Sequence, residues 1–323
     1  MQATAAAPGA GTVLNALATG RGAAFAIDVE TRATVRLTDE DRVVGEIAGE
    51  PDGDTRLIER CVERCVERFG DGEGGRVETD SDVPMAAGLT SSSAAANATV
   101  LATLTALGVD VVDPTGSAEL DASTDGAESP GLDDSAASST DPDASRTGSP
   151  GTITFLDACR IGVAAAREVG VTVTGAFDDA SASMVGGVVV TDNTADALLA
   201  RETRPWDVLV WTPPERAYSA DADVERCQHV SAMADLVCEL ALDGRFGEAM
   251  TVNGLAYSAA LGFSTEPAVE AMAHVEGVSL SGTGPSVVAV GESSSLSILR
   301  EQWADREGTL IETTTRSTGA HVL

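Results

Sequence analysis

Residues 84–95 read Pro-Met-Ala-Ala-Gly-Leu-Thr-Ser-Ser-Ser-Ala-Ala and lead without a break into an Ala-rich stretch that ends at Gly108. No other segment narrows the fold as far. Gly88 lets the backbone turn tightly, because it lacks the Cβ that disfavours positive φ. Ser91, Ser92 and Ser93 then supply hydroxyls and backbone N–H groups where the spacing predicts a helix to begin. The first N–H groups of a helix have no partner inside it, and the aligned peptide dipoles leave that end partly positive. Such an end suits a polyphosphate. It also suits a plain serine cap, so the segment alone fixes local structure rather than chemistry.

What the chain lacks bears on the same point. All 20 basic residues are Arg, against 51 acidic ones, and no Lys occurs in 323 residues. A Walker-type phosphate loop needs a Lys and is excluded. The net charge of −31 repels nucleic-acid backbones and anionic lipid, so neither is an expected partner. An acidic, Lys-free surface fits a salt-adapted cytoplasmic protein, because salt screens the self-repulsion. No apolar run approaches the ~20 residues that span a bilayer. Met1–Ala10 carries no basic stretch ahead of an apolar one, so no secretory leader is expected. The five Cys are an odd number with no CxxC pair, and Cys61 and Cys65 fall on one helical face. With His229, His274 and His321 scattered, no metal signature emerges, and a reduced cytoplasm fits best.

Periodicity predicts helices over 55–69, 155–169, 222–242, 245–260 and 293–304. Strands are predicted at 33–37, 76–79, 188–191, within 205–214, at 278–280, 287–291 and 308–314, and VTVTGAF (171–177) also reads as strand-like. Residues 113–150 hold only two large apolar residues and a net charge of −8, which leaves −23 on the other 285 residues. That composition predicts a disordered acidic insertion between two helices. Interspersed helices and strands without a repeat give an α+β class with two layers.

The pattern PxxxGLxSSxA over 84–94 resembles the ATP-binding motif of the GHMP kinases. Ala7-Pro8-Gly9-Ala10-Gly11-Thr12 resembles that family's first motif, and Ser281-Gly282-Thr283-Gly284-Pro285-Ser286 its third, in the order the family requires. Further segments narrow the resemblance to the archaeal type of shikimate kinase: 11–16, 18–25, 174–187 (TGAFDDASASMVGG) and 249–254 (AMTVNG).

The resemblance implies a ribosomal-S5-like N-terminal domain over 1–200 and a ferredoxin-like C-terminal domain over 201–323. It implies transfer of the γ-phosphate of ATP to the 3-hydroxyl of shikimate, with Mg²⁺, and is compatible with a homodimer. Another small-molecule kinase of the family, such as homoserine kinase, is the alternative. Carried over by position, Pro84, Gly88, Leu89, Thr90, Ser91, Ser92, Ser93, Ala94, Gly282 and Gly284 are expected at the nucleotide. Ser92 or Ser93 is expected at the metal, three serines standing where the family has two. Asp179 falls where related kinases keep a catalytic carboxylate. Asp178 beside it could instead bind substrate hydroxyls or cap the following helix. Gly11, Thr12, Asn15, Arg21 and Asn253 are expected on the substrate side, with Tyr257 near the same cleft or in the core. Several relatives carry a Lys in the first motif where Ala10 stands here, and Arg21 is the candidate for that role.

Overall fold

The computed structural model describes residues 1–83, 88–113, 151–172, 174–215, 217 and 222–323. The predicted insertion, apart from Asp113, and Pro84 lie outside the described residues. In chain order the elements are β1 (Gln2–Leu14), β2 (Arg21–Thr38), β3 (Val43–Ile47), α1 (Arg56–Phe69), β4 (Gly74–Ser81) and α2 (Ser91–Ala106). Then come β5 (Asp110–Val112), β6 (Thr152–Thr154), α3 (Phe155–Val169), α4 (Phe177–Val185), β7 (Val188–Asp192) and β8 (Ala197–Glu202). The chain continues through β9 (Asp207–Thr212), α5 (Val224–Gln228), α6 (Ser231–Leu242), α7 (Phe246–Leu261) and α8 (Glu266–Ala271). It closes with β10 (Gly277–Leu280), β11 (Val287–Gly291), α9 (Ser293–Trp303), β12 (Thr309–Thr314) and β13 (His321–Val322).

The first sheet is organised around β2. Its early residues, Arg21–Phe25, pair with β7, and its later ones, Thr31–Thr38, pair with β4. The order β13-β1-β2-β4-β3 is extended by β7 and β8 into seven strands. From Ala5 to Leu14, β1 is buried without alternation, which requires small residues on both of its faces. That is why sequence periodicity did not reveal it. The second sheet, β10-β11-β9-β12, begins at Asp207, and β13 returns the tail to β1. Val208 and Val210 of β9 pack into a core with Phe25, Trp206 and Tyr257, whereas Leu209 joins Leu299 and Trp303 on the opposite face. Both faces of this sheet are therefore covered, one tier more than the two-layer expectation.

Helix α1 forms because Leu57, Ile58, Cys61, Val62, Cys65 and Val66 recur at helical spacing and share its buried face. The helix α2 is buried almost all round and packs on β1, β2, α1, α3 and α4, which its Ala and Thr residues permit. Burial pushes the thiols of Cys61, Cys65 and Cys159 above their ordinary range, Cys61 up to about 12, so they act as small apolar groups.

Three expectations change. The segment 171–176 is not a strand among its described residues. Thr172 and Thr174 hydroxyls accept from the N–H groups of Gly175 and Ala176, and this local bonding competes with a sheet ladder. Gly175 and Ala176 then take positive φ, and Phe177 opens a helix. The predicted helix over 222–242 is two helices, α5 and α6, broken at 229–230. Strands β3, β8 and the two-residue β13 carry too little pattern to have been predicted.

Candidate active site

The start of α4, the end of β1 and one loop form a cleft lined by Thr12, Asn15, Asp178, Asp179, Gly282 and Thr283, with Thr172, Thr174 and Ala176 at its edge. The start of α2 adjoins it through Thr90, beside Asp179, but none of Thr90, Ser91, Ser92, Ser93 and Ala94 lines it. The helix α2 enters through Thr90, whose φ of 66° is left-handed and whose side chain makes no cap bond. The helix α4 enters through Ala176 at φ 48°, also without a side-chain cap bond. Among the described residues only Thr90, Ala176 and Asp196 are non-glycine residues at positive φ, so two of three such strained positions start the helices of this site. The uncapped first turn of α2 leaves N–H donors of the kind an anion requires, whereas in α4 the Asp178 N–H is taken by Asn193 Oδ1 at 3.1 Å. In the first turn of α2, Ser92 is exposed and Ser91 and Ser93 are half-buried, while Ala94 is buried and donates its N–H to Thr90 O at 3.0 Å. Leu89 is buried in the core rather than facing the cleft.

The loop 281–286 is fixed on two sides. Ser281 Oγ donates to Gly88 O at 2.8 Å, and a Cβ on Gly88 would overlap the Ser281 carbonyl, so only glycine at its φ of 75° allows this approach. On the other side Gly282 N–H donates to Thr12 Oγ1 at 2.7 Å, and Asn15 Nδ2 donates to Gly282 O at 2.7 Å. Gly284 packs against the ring of Phe263. Asn253 is fully buried and uses both ends of its amide: Oδ1 accepts from Asn15 N–H at 2.9 Å, and Nδ2 donates to Ser279 Oγ at 2.8 Å. Tyr257 OH donates to Asn15 O at 2.8 Å. Asn253 and Tyr257 thus brace the cleft wall rather than face the cleft. Gly11 lies against Phe25, where a Cβ would come 2.5 Å from the ring, and it does not line the cleft. Arg21 points its Nη1 towards Cys238 Sγ at 4.0 Å, outside the cleft lining.

Asp178 and Asp179 occupy the first turn of α4. Asp178 Oδ1 accepts from Asn193 Nδ2 at 2.7 Å, and its other oxygen lies against Gly22. Asp179 Oδ1 is buried with no hydrogen-bond partner. Burial raises the proton affinity of both carboxyls. For Asp179 the negative charge of Asp178 raises it further, and the Thr90 hydroxyl opposes the rise. One carboxylate is therefore held by donors, and its neighbour has a buried oxygen without a partner. Sequence reasoning did not find Gly22, Thr191 or Asn193, whose roles lie in contacts between segments remote along the chain.

Residues 56–141 match the family described as GHMP kinases N terminal domain. A shikimate kinase of Halobacterium salinarum is 54% identical over 99% of this chain and 99% of its own length. The chain belongs to the archaeal shikimate kinases of the GHMP kinase family. A shikimate kinase of Methanosarcina mazei is 43% identical over 99% of this chain and 96% of its own. Among solved structures, the mevalonate kinase of Methanococcus jannaschii superposes with a TM-score of 0.68 at 13% identity, covering 98% of this chain and 99% of that one. The GHMP fold is thus retained where little sequence is shared. Among the described residues of this GHMP kinase, no helix is long and apolar enough to cross a membrane.

Proposed function

We propose that this GHMP kinase transfers the γ-phosphate of ATP to the 3-hydroxyl of shikimate, giving shikimate 3-phosphate and ADP, a step of aromatic amino acid biosynthesis in the cytoplasm. The observation that carries the chemistry is Asp179, whose buried Oδ1 has no partner and whose side chain lines the cleft beside Thr90 and the start of α2. The acceptor comes from the full-length relatives, which are shikimate kinases.

The free N–H groups of Ser91, Ser92 and Ser93 would cradle the triphosphate, and Gly282 and Gly284 would keep the facing loop close enough to cover it. Asp179 would orient the hydroxyl and accept its proton as the oxygen bonds to the γ-phosphorus and the bridge to the β-phosphate breaks. Burial and the Asp178 charge, which raise its proton affinity, make it a stronger base than an exposed carboxylate. Among the described residues no cluster of three metal-ligating side chains exists, and Mg²⁺ bound mainly through phosphate oxygens needs only one or two protein ligands. The hydroxyl of Ser92 or Ser93 fits that requirement, and the ion would supply charge neutralisation on the phosphates. Residues 1–200 would form the nucleotide-binding unit and 201–323 the second, with β13 crossing back to β1.

The test is ADP release in high-salt buffer with Mg·ATP, offering shikimate, homoserine and mevalonate in parallel. Turnover with shikimate alone, abolished in Asp179→Ala, is the expected result. Turnover with another alcohol would keep the family chemistry and discard the acceptor.

A further inference from the structure

Asn193, just beyond β7, is joined to Asp178 twice. Its Nδ2 donates to Asp178 Oδ1 at 2.7 Å, and its Oδ1 accepts from Asp178 N–H at 3.1 Å. The Asp178 N–H can only donate, so the amide oxygen faces it and the nitrogen faces the carboxylate, and Thr191 Oγ1 donates to the same amide oxygen at 2.7 Å. The Asn193 backbone is fixed as well: its N–H donates to Gly20 O at 2.8 Å, and its carbonyl accepts from Arg167 Nη2 at 3.1 Å. Thr191 and Asn193 are both buried. Neither belongs to a motif, and neither lines the cleft.

An amide N–H donates a stronger bond to a charged carboxylate oxygen than to a neutral carboxyl. Every donor in this arrangement therefore favours the ionised form of Asp178. The charged and titratable groups on the surrounding elements are bonded to groups other than the Asp178 carboxylate. On α3, Arg160 pairs with Asp157 and Arg167 with Asp196. On β7, Asp192 accepts from the N–H groups of Thr194 and Ala195. On β2, Arg21 reaches Cys238, and on α7 the Tyr257 hydroxyl is bonded to Asn15. The α2 residues that meet α4, Thr90 and Asn97, are uncharged, as is Thr12 on β1.

We propose that Asn193 is a positioning residue for the carboxylate pair: it fixes Asp178 as the ionised member, and so makes Asp179 the member that takes up and releases the proton at the cleft. The inference rests on Asp179 as the base. Without the Asn193 donor, the proton shared by the pair moves to Asp178. Asp179 then loses the neighbouring charge that raised its proton affinity, stays ionised at lower pH and becomes a weaker base.

The experiment is the pH profile of kcat/KM for shikimate in Asn193→Ala and in the near-isosteric Thr191→Val, with Asp179→Asn as control. In Asn193→Ala the acid limb moves down by about one pH unit, the lower end of what a neighbouring charge contributes. The plateau falls about tenfold as the base weakens. Thr191→Val shifts the limb the same way by less, and it decides the matter if Asn193→Ala does not fold. An acid limb unmoved in the variants, with the plateau lowered or not, overturns the inference and leaves Asn193 a structural residue. Retained activity in Asp179→Asn overturns instead the reading of Asp179 as the base, whatever the Asn193 variants do.

Discussion

Gly22 packs so closely on Asp178 that a Cβ built on the glycine would lie 2.5 Å from the carboxylate carbon. The strand β2 cannot retreat at this point, because Gly22 pairs with Thr191 of β7 in the sheet. In Gly22→Ala the Asp178 side chain must move instead, and Asp179 moves with the first turn of α4. A displacement of about 1 Å at a reacting group costs on the order of 100-fold in rate. Steady-state kinetics of Gly22→Ala should therefore show kcat down by that order with the KM for ATP little changed, since the α2 N-terminus is untouched. A parent-like kcat would mean that Asp178 can shift without consequence.

Asp179 is retained against the stability of the fold. A carboxyl whose native-state proton affinity is raised keeps in the native state a proton that the unfolded chain has released. Stability contributed by that proton is present below the ordinary value of 3.8 and is lost as pH rises from there towards the native value. The cause is burial first and the Asp178 charge second. Asp179→Asn removes this loss, so its thermal midpoint should exceed that of the parent at pH 8. The gap should narrow as the buffer is taken towards pH 4, while turnover falls by about 100-fold or more at every pH. A midpoint below the parent at pH 8 would show that the carboxylate is stabilised by contacts stronger than its burial cost.

The parts of the site that are contiguous in sequence were legible, and those assembled across the sheets were not. Gly88 and the serine run could be read because a tight turn into a helix needs those residue types in that order, and the Asp pair because it sits in a segment shared with relatives. Asn253 illustrates the opposite case. Its place in AMTVNG suggested the substrate side, but its amide is spent on Asn15 and Ser279 inside the wall. Only the pairing of α7 with the end of β1 reveals this. For the fold, α1 and α3 could be read because one face of each is wet. The strand β1 could not, because covering both faces erases alternation.

The bond from Tyr257 OH to Asn15 O joins α7 to the segment after β1, and Asn15 in turn holds Gly282. Tyr257→Phe deletes that donor while keeping the buried ring. A net hydrogen bond of this kind contributes about 1 kcal/mol. Loosening Asn15 also loosens the loop at Gly282. Denaturation should register a loss of that size, and the KM for ATP should rise severalfold with kcat less affected. An unchanged KM for ATP would separate the wall from the nucleotide loop.

The segment 114–150 can be replaced by a short Gly/Ser linker without loss of kinase activity. Its flanks are already side by side: Asp110 pairs with Thr152 and Val112 with Thr154, and Asp110 N–H donates to Gly151 O at 3.0 Å. Closing a shorter loop costs little extra entropy, because that cost varies only slowly with length. Activity lost in the shortened chain, with its thermal midpoint kept, would assign the segment a part in the reaction.

Removing that segment also leaves most of the charge problem in place. The rest of the chain retains −24 of the −31, and every cation that offsets it is an Arg. Raising ionic strength from about 0.1 M to 1 M shortens the screening length from ~10 Å to ~3 Å, below the spacing of most surface carboxylates. The thermal midpoint of the full chain should therefore climb steadily as KCl is raised from dilute buffer to molar concentration. The shortened chain should climb almost as far, because the repulsion resides mainly in the folded lobes. A full-length midpoint that is the same in dilute buffer and in molar KCl would mean that the Arg–carboxylate pairs already on the surface, such as Arg60 with Glu63, Glu67 and Glu168, offset the repulsion without help from salt.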